Sequence, residues 1–430
     1  MSPLSSPSRL PPPRRDEMPP KKKAPAEPEA PKVPRSLATL VPLDGRDGGL
    51  GVEALDLSER VREVQAEQVA SRVAYAVASG ELELDLRECG LADLPDALFD
   101  LQWLQVLDLS RNLLVPRVLE ELRDLGGLRA LNLSQNLLSN VLPAALGELP
   151  AALEELCLDD NNVEALPAEA AALASLEWFS ARRNLLAELP GPVLGAWTKL
   201  AYLDLRNNKL RALPAEVGLC AQLRELYLSD NELAELPDAI GGCAALEVLL
   251  AQRNRLAALP AGLGACAALQ TLDVTANALT EVAPAALAGL VSLRQLFLGS
   301  NKLQALPAEL GACAALELLS APSNQLRGLP DEVGLLTELR EVNVGNNPIV
   351  NLPQSAVGWT KLESGNFRNC KLKALPAGIE GAWKAATLLD VRAKGKKDTC
   401  KSTDNIKSEL KFTRFVGVVW SKPKAAKGKK

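Results

Sequence analysis

"LPAEVGLCAQLRELYLSDNELAELP", residues 213–237, ends on the Leu-Pro with which it opens. Within it Leu226 and Leu228 alternate as one face of a β-strand requires, Leu223 points the same way, and Asn231 follows before the next Leu-Pro. One such turn cannot bury its own leucines. A second copy laid against it does, so the repetition predicts a stack in which each turn covers its predecessor. Pro214 and Pro237 fix φ where the chain leaves the strand and begins an outer return.

Aligned on Leu-x-x-Leu-x-Leu-x-x-Asn-x-Leu, successive units begin at 81, 104, 128, 153, 176, 200, 223, 246, 269, 293, 316, 339 and 362, with a degenerate unit near Ala386. Eleven consecutive units carry Asn at the ninth position: Asn112, Asn136, Asn161, Asn184, Asn208, Asn231, Asn254, Asn277, Asn301, Asn324 and Asn347. An amide both donates and accepts, which suits a sharply bent, buried loop whose backbone groups need partners. Cys89 and Cys370 take this place at the two ends. The pattern resembles the leucine-rich repeat family over roughly residues 81–392. The resemblance implies an α/β fold: a solenoid (horseshoe) of about thirteen units, with a parallel concave β-sheet and a mixed helical and irregular convex side. About a dozen strands at ~4.8 Å spacing make a face some ~55–60 Å long.

The flanks read differently. Residues 1–50 are rich in Pro, Ser and Lys without hydrophobic periodicity, as expected of a disordered tail. In 51–80, Val61, Val64, Val69, Val73 and Val77 suggest one face of a capping helix, started by Asp56 and Glu59 and ended by Gly80. Residues 393–430 form a basic C-terminal cap or tail. The total charge of −5 comprises +4 in residues 1–36, +9 in 394–430 and therefore −18 in 37–393. The basic tails are expected to meet acidic surfaces.

Cys220, Cys243, Cys266 and Cys313 share one repeat phase, which predicts a row of free apolar thiols rather than disulfides or zinc ligands. With no apolar signal core and no membrane span, a cytoplasmic protein is expected, with cytoskeleton, cilium and nucleus as alternatives. The chain contains no His, which excludes Ser-His-Asp, Cys-His and His-metal chemistry. No metal, cofactor or catalytic residue is expected. Gly262-Leu-Gly264-Ala-Cys-Ala267 fits the loose Gly-x-Gly-x-x-Ala fingerprint but follows a Leu-Pro turn, so it reads as an outer turn.

Variation among outward strand positions marks the candidate binding residues. Trp178 and Tyr202 occupy the third position of successive units and Tyr227 the fifth position of the next. Arg182, Arg183 and Arg206 project nearby, flanked by Asp159, Asp160, Asp204 and Asp230. Aromatics and Arg are the residues that dominate protein interfaces. Leu250, Phe297 and Leu318 form a second candidate patch on nearby strands. The acidic body disfavours specific nucleic acid binding.

The Leu-x-x-Leu-Pro-x-x-(Leu/Val/Ile)-Gly spacing, as in Leu303–Gly311, is similar to the intracellular Ras-group class of leucine-rich repeats, a plant- and protist-like cytosolic scaffold type. Gly417-Val-Val-Trp420 resembles the Gly-Val-Tyr-Trp signature of plant Ras-group-related proteins, with Val419 in place of Tyr. The resemblance implies a non-enzymatic scaffold or adaptor in signal transduction, binding protein partners on its concave surface. Partner classes it suggests are a small GTPase, a phosphatase, or a cytoskeletal or ciliary component. The alternative is a structural subunit of a large cytoskeletal or ciliary assembly, anchored by the basic tails.

Overall fold

The computed structural model describes residues 51–386 and 388–391, with side-chain surroundings from residue 64 onward except at Glu380. The two tails, including Gly417–Trp420, lie outside the described residues. The chain divides into two compact units, 1–64 and 65–430. The first is described only at 51–64, which is helical; the second carries the repeats.

Helix α1 (Gly51–Ser79) begins earlier than Asp56 and Glu59 suggest. Its buried stripe is Val69, Val73 and Ala76, whereas Val64 and Val77 are 40% and 42% exposed. The valine-only reading of this face is thus corrected: Ala76 faces inward, and Val77 points outward. Gly80 ends the helix as expected, in the left-handed region at φ 67°, its N–H bonding the Ala76 carbonyl. Arg72 reaches the Asp85 carbonyl at 3.0 Å, tying the helix to the first strand.

The strands are β1 (Glu83–Asp85), β2 (Val106–Asp108), β3 (Ala130–Asn132), β4 (Ser139–Val141), β5 (Glu155–Cys157), β6 (Asn162–Ala165), β7 (Trp178–Ser180), β8 (Tyr202–Asp204), β9 (Glu225–Tyr227), β10 (Val248–Leu250), β11 (Thr271–Asp273), β12 (Gln295–Phe297), β13 (Leu318–Ser320), β14 (Glu341–Asn343), β15 (Ser364–Asn366) and β16 (Leu388–Asp390). All but β4 and β6 form one fourteen-stranded parallel sheet in chain order, one strand per unit, the degenerate unit included. β4 and β6 pair separately. Each residue lies opposite its equivalent one unit on, as Leu203 opposite Leu226.

Leu223, Leu226 and Leu228 are wholly buried, as are their counterparts through most of the solenoid. Each contributes roughly 1.5–3 kcal/mol before chain entropy is counted, and only because a neighbouring turn covers it. The Asn side chains perform the expected role in all eleven units. Asn208 donates to the carbonyls of Leu205 and, one unit back, Ala181, while its Oδ1 accepts the N–H of Leu186. The residue before each Asn is left-handed throughout, from Arg111 at φ 56° to Asn346 at φ 58°.

On the return side, Pro214 (φ −68°) and Pro237 (φ −69°) precede short 3-10 helices, Ala215–Leu219 and Asp238–Gly242. The Gly262–Gly264 segment lies in another, Ala261–Ala265, as the repeat phase predicts. Its glycines serve packing: a Cβ on Gly262 would lie 1.9 Å from the Asp238 carbonyl oxygen of the preceding turn. Cys220, Cys243, Cys266 and Cys313 are free and buried. Their Sγ atoms face carbonyls of the preceding return, as Cys243 faces Val217 at 3.2 Å. Trp197, Trp359 and Trp383 share this phase and donate their indole N–H to equivalent carbonyls.

Candidate functional site

Parallel pairing places the third-position side chains of β5, β7, β8 and β9 in one row, Glu155, Trp178, Tyr202 and Glu225. Trp178 and Tyr202 stack, with ring centroids 4.9 Å apart and planes 12° from parallel. Tyr227, one position-row over, lies opposite Asp204, and its ring meets that of Tyr202 at 5.3 Å and 49°. The three aromatics singled out in the sequence therefore form one continuous, half-buried surface. Such tilted and stacked pairs hold each other in place.

Arg206 completes this surface. Its guanidinium carbon stands 4.8 Å from the Tyr227 centroid, and its Nε donates to both oxygens of Asp204 at 2.9 and 3.0 Å. Bonding to buried Asp204 raises the Arg206 pKa further. Arg182 and Arg183 sit at the rim, tied to Asp159 and Asp160 at 3.2–3.6 Å. Asp159 also accepts from the Ser180 hydroxyl and, at 2.7 Å, from the Arg182 N–H; burial nevertheless raises its pKa. Asp230 pairs with Arg253 instead, a bidentate contact that leaves it apart from Arg206.

Burial pushes the Tyr202 phenol up to about 12. Tyr227 is raised as well, by burial and by the 2.5 Å bond its hydroxyl donates to Glu225. Both are neutral hydroxyls near pH 7, offering apolar bodies with polar tips.

The second candidate patch is less compact than its positions suggest. Leu250 and Phe297 are separated by Asp273, which lies in register between them, and Leu318 stands opposite Gln295 rather than Phe297. Leu250 instead adjoins Tyr227, and Val248 adjoins Glu225. The aromatic surface thus gains Leu250 and Val248 as an apolar extension. Val248 escaped sequence reasoning because valine fits any strand position.

A depression of ≈ 570 Å³ lined by Gln304, Gln325, Arg327 and Lys371 lies in later repeats, which carry none of the aromatic row. Among the described residues no cluster of His, Cys, Asp or Glu is placed to hold a metal. No helix there is long and apolar enough to cross a membrane.

The leucine rich repeat family model matches residues 83–138, 198–256 and 267–326. The transforming growth factor beta activator LRRC32 of Pongo abelii is 38% identical over 105 residues, covering 23% of this chain and 15% of its own. The chain thus matches only a small part of that relative's length. Among solved structures, a leucine-rich repeat protein of Leptospira interrogans superposes with a TM-score of 0.62 at 28% identity, covering 80% of this chain and 97% of its own. The plant peptide hormone receptor RGFR1 in complex with RGF2 superposes with a TM-score of 0.59 at 27% identity, covering 70% and 53% respectively. The in-register leucine strands, the Asn ladder and these matches lead to one conclusion: the chain belongs to the leucine-rich repeat family.

Proposed function

We propose that this chain is a non-enzymatic scaffold or adaptor that binds protein partners on its sheet face, through Trp178, Tyr202, Tyr227, Arg206 and Leu250. The observation that carries the reading is the continuous aromatic surface, pre-stacked and already partly desolvated. Rigid aromatics lose little side-chain entropy on binding, so they act as anchors, while Arg182 and Arg183 at the rim supply orientation more than affinity. The similar plant peptide hormone receptor, in complex with RGF2, supports a binding role for a fold of this kind. Phosphatases, small GTPases and cytoskeletal or ciliary components remain the partner classes suggested by the Ras-group resemblance.

Affinity capture with the full chain, beside Trp178→Ala/Tyr227→Ala, tests this reading. Truncating two central anchors costs at least about 2 kcal/mol, roughly thirtyfold in affinity. Partners captured by wild type should therefore be lost from a variant with the wild-type circular dichroism spectrum. Retention of every partner by that folded variant overturns the assignment.

A further inference from the structure

We infer that the uncovered face of Trp178 receives an arginine or lysine side chain from an extended segment of a protein partner, with Glu155 and Glu177 as its counter-charges. This rests on the docking surface proposed above and names the chemistry it takes.

Orientation comes first. The Trp178–Tyr202 centroid distance of 4.9 Å matches the spacing of neighbouring strands, so the rings stand across the direction in which the strands follow one another. Tyr202 covers one face of the indole. The other face points toward β5, where Glu155 lies in register with Trp178 and is exposed. Ala130 follows Glu155 in the row, and small Cys157 and Ser180 occupy the row on one side, while on the other Arg129 and Glu154 are held to each other at 2.7 Å. That leaves room for a long side chain to lie flat on the ring.

Charge comes second. In the second-position row the chain matches Glu154 by Arg129, Glu247 by Arg224 and Glu317 by Arg294, each at 2.7 Å, whereas Glu177 in that row has no such partner among the described residues. Glu155, opposite Trp178 on β5, and Glu177, which precedes it in the chain, form no ion pair among the described residues; Glu83 and Glu341 share that state but have no aromatic ring opposite them. The net charge of −18 over residues 37–393 draws a cationic segment to this body.

The molecule already holds one complete example. At Tyr227 a ring, a guanidinium over it and a carboxylate gripping the guanidinium occur together, in Tyr227, Arg206 and Asp204. At Trp178 the ring and the carboxylates are present, while no cation of the described chain lies over the indole. Tryptophan is the better ring for this purpose.

The test uses the full chain and fluorescence anisotropy with a fluorescein-labelled hexaarginine peptide and its hexacitrulline counterpart, which keeps shape and loses charge. Hexaarginine should bind at least tenfold more tightly. Trp178→Leu, and separately Glu155→Gln/Glu177→Gln, should each weaken it roughly tenfold. Glu83→Gln/Glu341→Gln removes the same charge at third-position sites with no aromatic neighbour, and should change it less than twofold. Equal binding of hexacitrulline, or equal losses in the two glutamate variants, overturns the inference. Partner capture separates the two readings. Capture lost in Trp178→Ala/Tyr227→Ala but complete in Glu155→Gln/Glu177→Gln overturns the cation and leaves the surface, whereas capture surviving both overturns the surface itself.

Discussion

Asn347 shows how much one side chain holds together. It is 2% exposed, donates to the carbonyls of Val344 and Ala321 at 2.9 Å, and accepts the Leu326 N–H at 3.0 Å. Asn347→Ala strands these groups where water does not reach, at a cost of about 2–4 kcal/mol, read as a fall in the urea midpoint. Asn277 makes equivalent bonds but is half-buried, so Asn277→Ala should cost less. The left-handed residue before each Asn behaves in the opposite way. Ala276 (φ 58°) has neither a flexible backbone nor a polar side chain to favour that conformation. Ala276→Gly should therefore raise stability by about 1 kcal/mol, and a lower urea midpoint would contradict this account of the turn. Asn was legible from its phase. The left-handed position was not, because Arg, Gln, Asp, Asn, Ala and Ser all occupy it and no glycine marks it.

At the scale of elements, the return side is fixed by close contact between successive turns. Gly264, like Gly262, has a backbone oxygen where a side chain would be, 2.1 Å from its Cβ position and belonging to Ala285. Gly262→Ala should consequently cost more than the usual ~1–3 kcal/mol of overpacking, since a backbone atom cannot turn aside. Faster amide exchange should appear around 238–285 and fade with distance along the stack. The cysteine row adds a dependence on pH. Burial pushes Cys220, Cys266 and Cys313 up to about 11 and Cys243 to about 12. In the unfolded chain these thiols ionise from about pH 8.5. Their stabilising effect is complete below that value and is lost as pH rises toward 11–12, because only the unfolded state gives up protons in between. Thermal midpoints from pH 7 to 10.5 should thus fall less steeply for Cys220→Ala/Cys243→Ala/Cys266→Ala than for wild type. Parallel slopes would mean that the thiols already ionise in the fold.

Across the whole molecule, the fold was readable because stacking is the one way for these short leucine strands to leave water, and the spacing of the leucines counts the strands. Position within the unit also told which side chains share the open face. What position alone did not tell was rotamer and neighbour: that Arg206 turns back over Tyr227 while Asp230 pairs with Arg253, or that Asp273 parts Leu250 from Phe297. The cap helix was misread in part because valine spacing underweights a small inward residue such as Ala76. Since each unit touches only its neighbours, whole units should be removable, and this separates fold from binding. Deleting 339–361 or 200–222 removes one strand and one return in register, so both variants should keep the wild-type circular dichroism signature. The first leaves Trp178, Tyr202 and Tyr227 adjacent, whereas the second takes out Tyr202 and brings Trp178 beside Glu225. Partner capture should survive the first deletion and fail in the second. If both folded variants capture equally, binding lies off the aromatic row; if neither folds, the units are not the independent turns that their repetition implies.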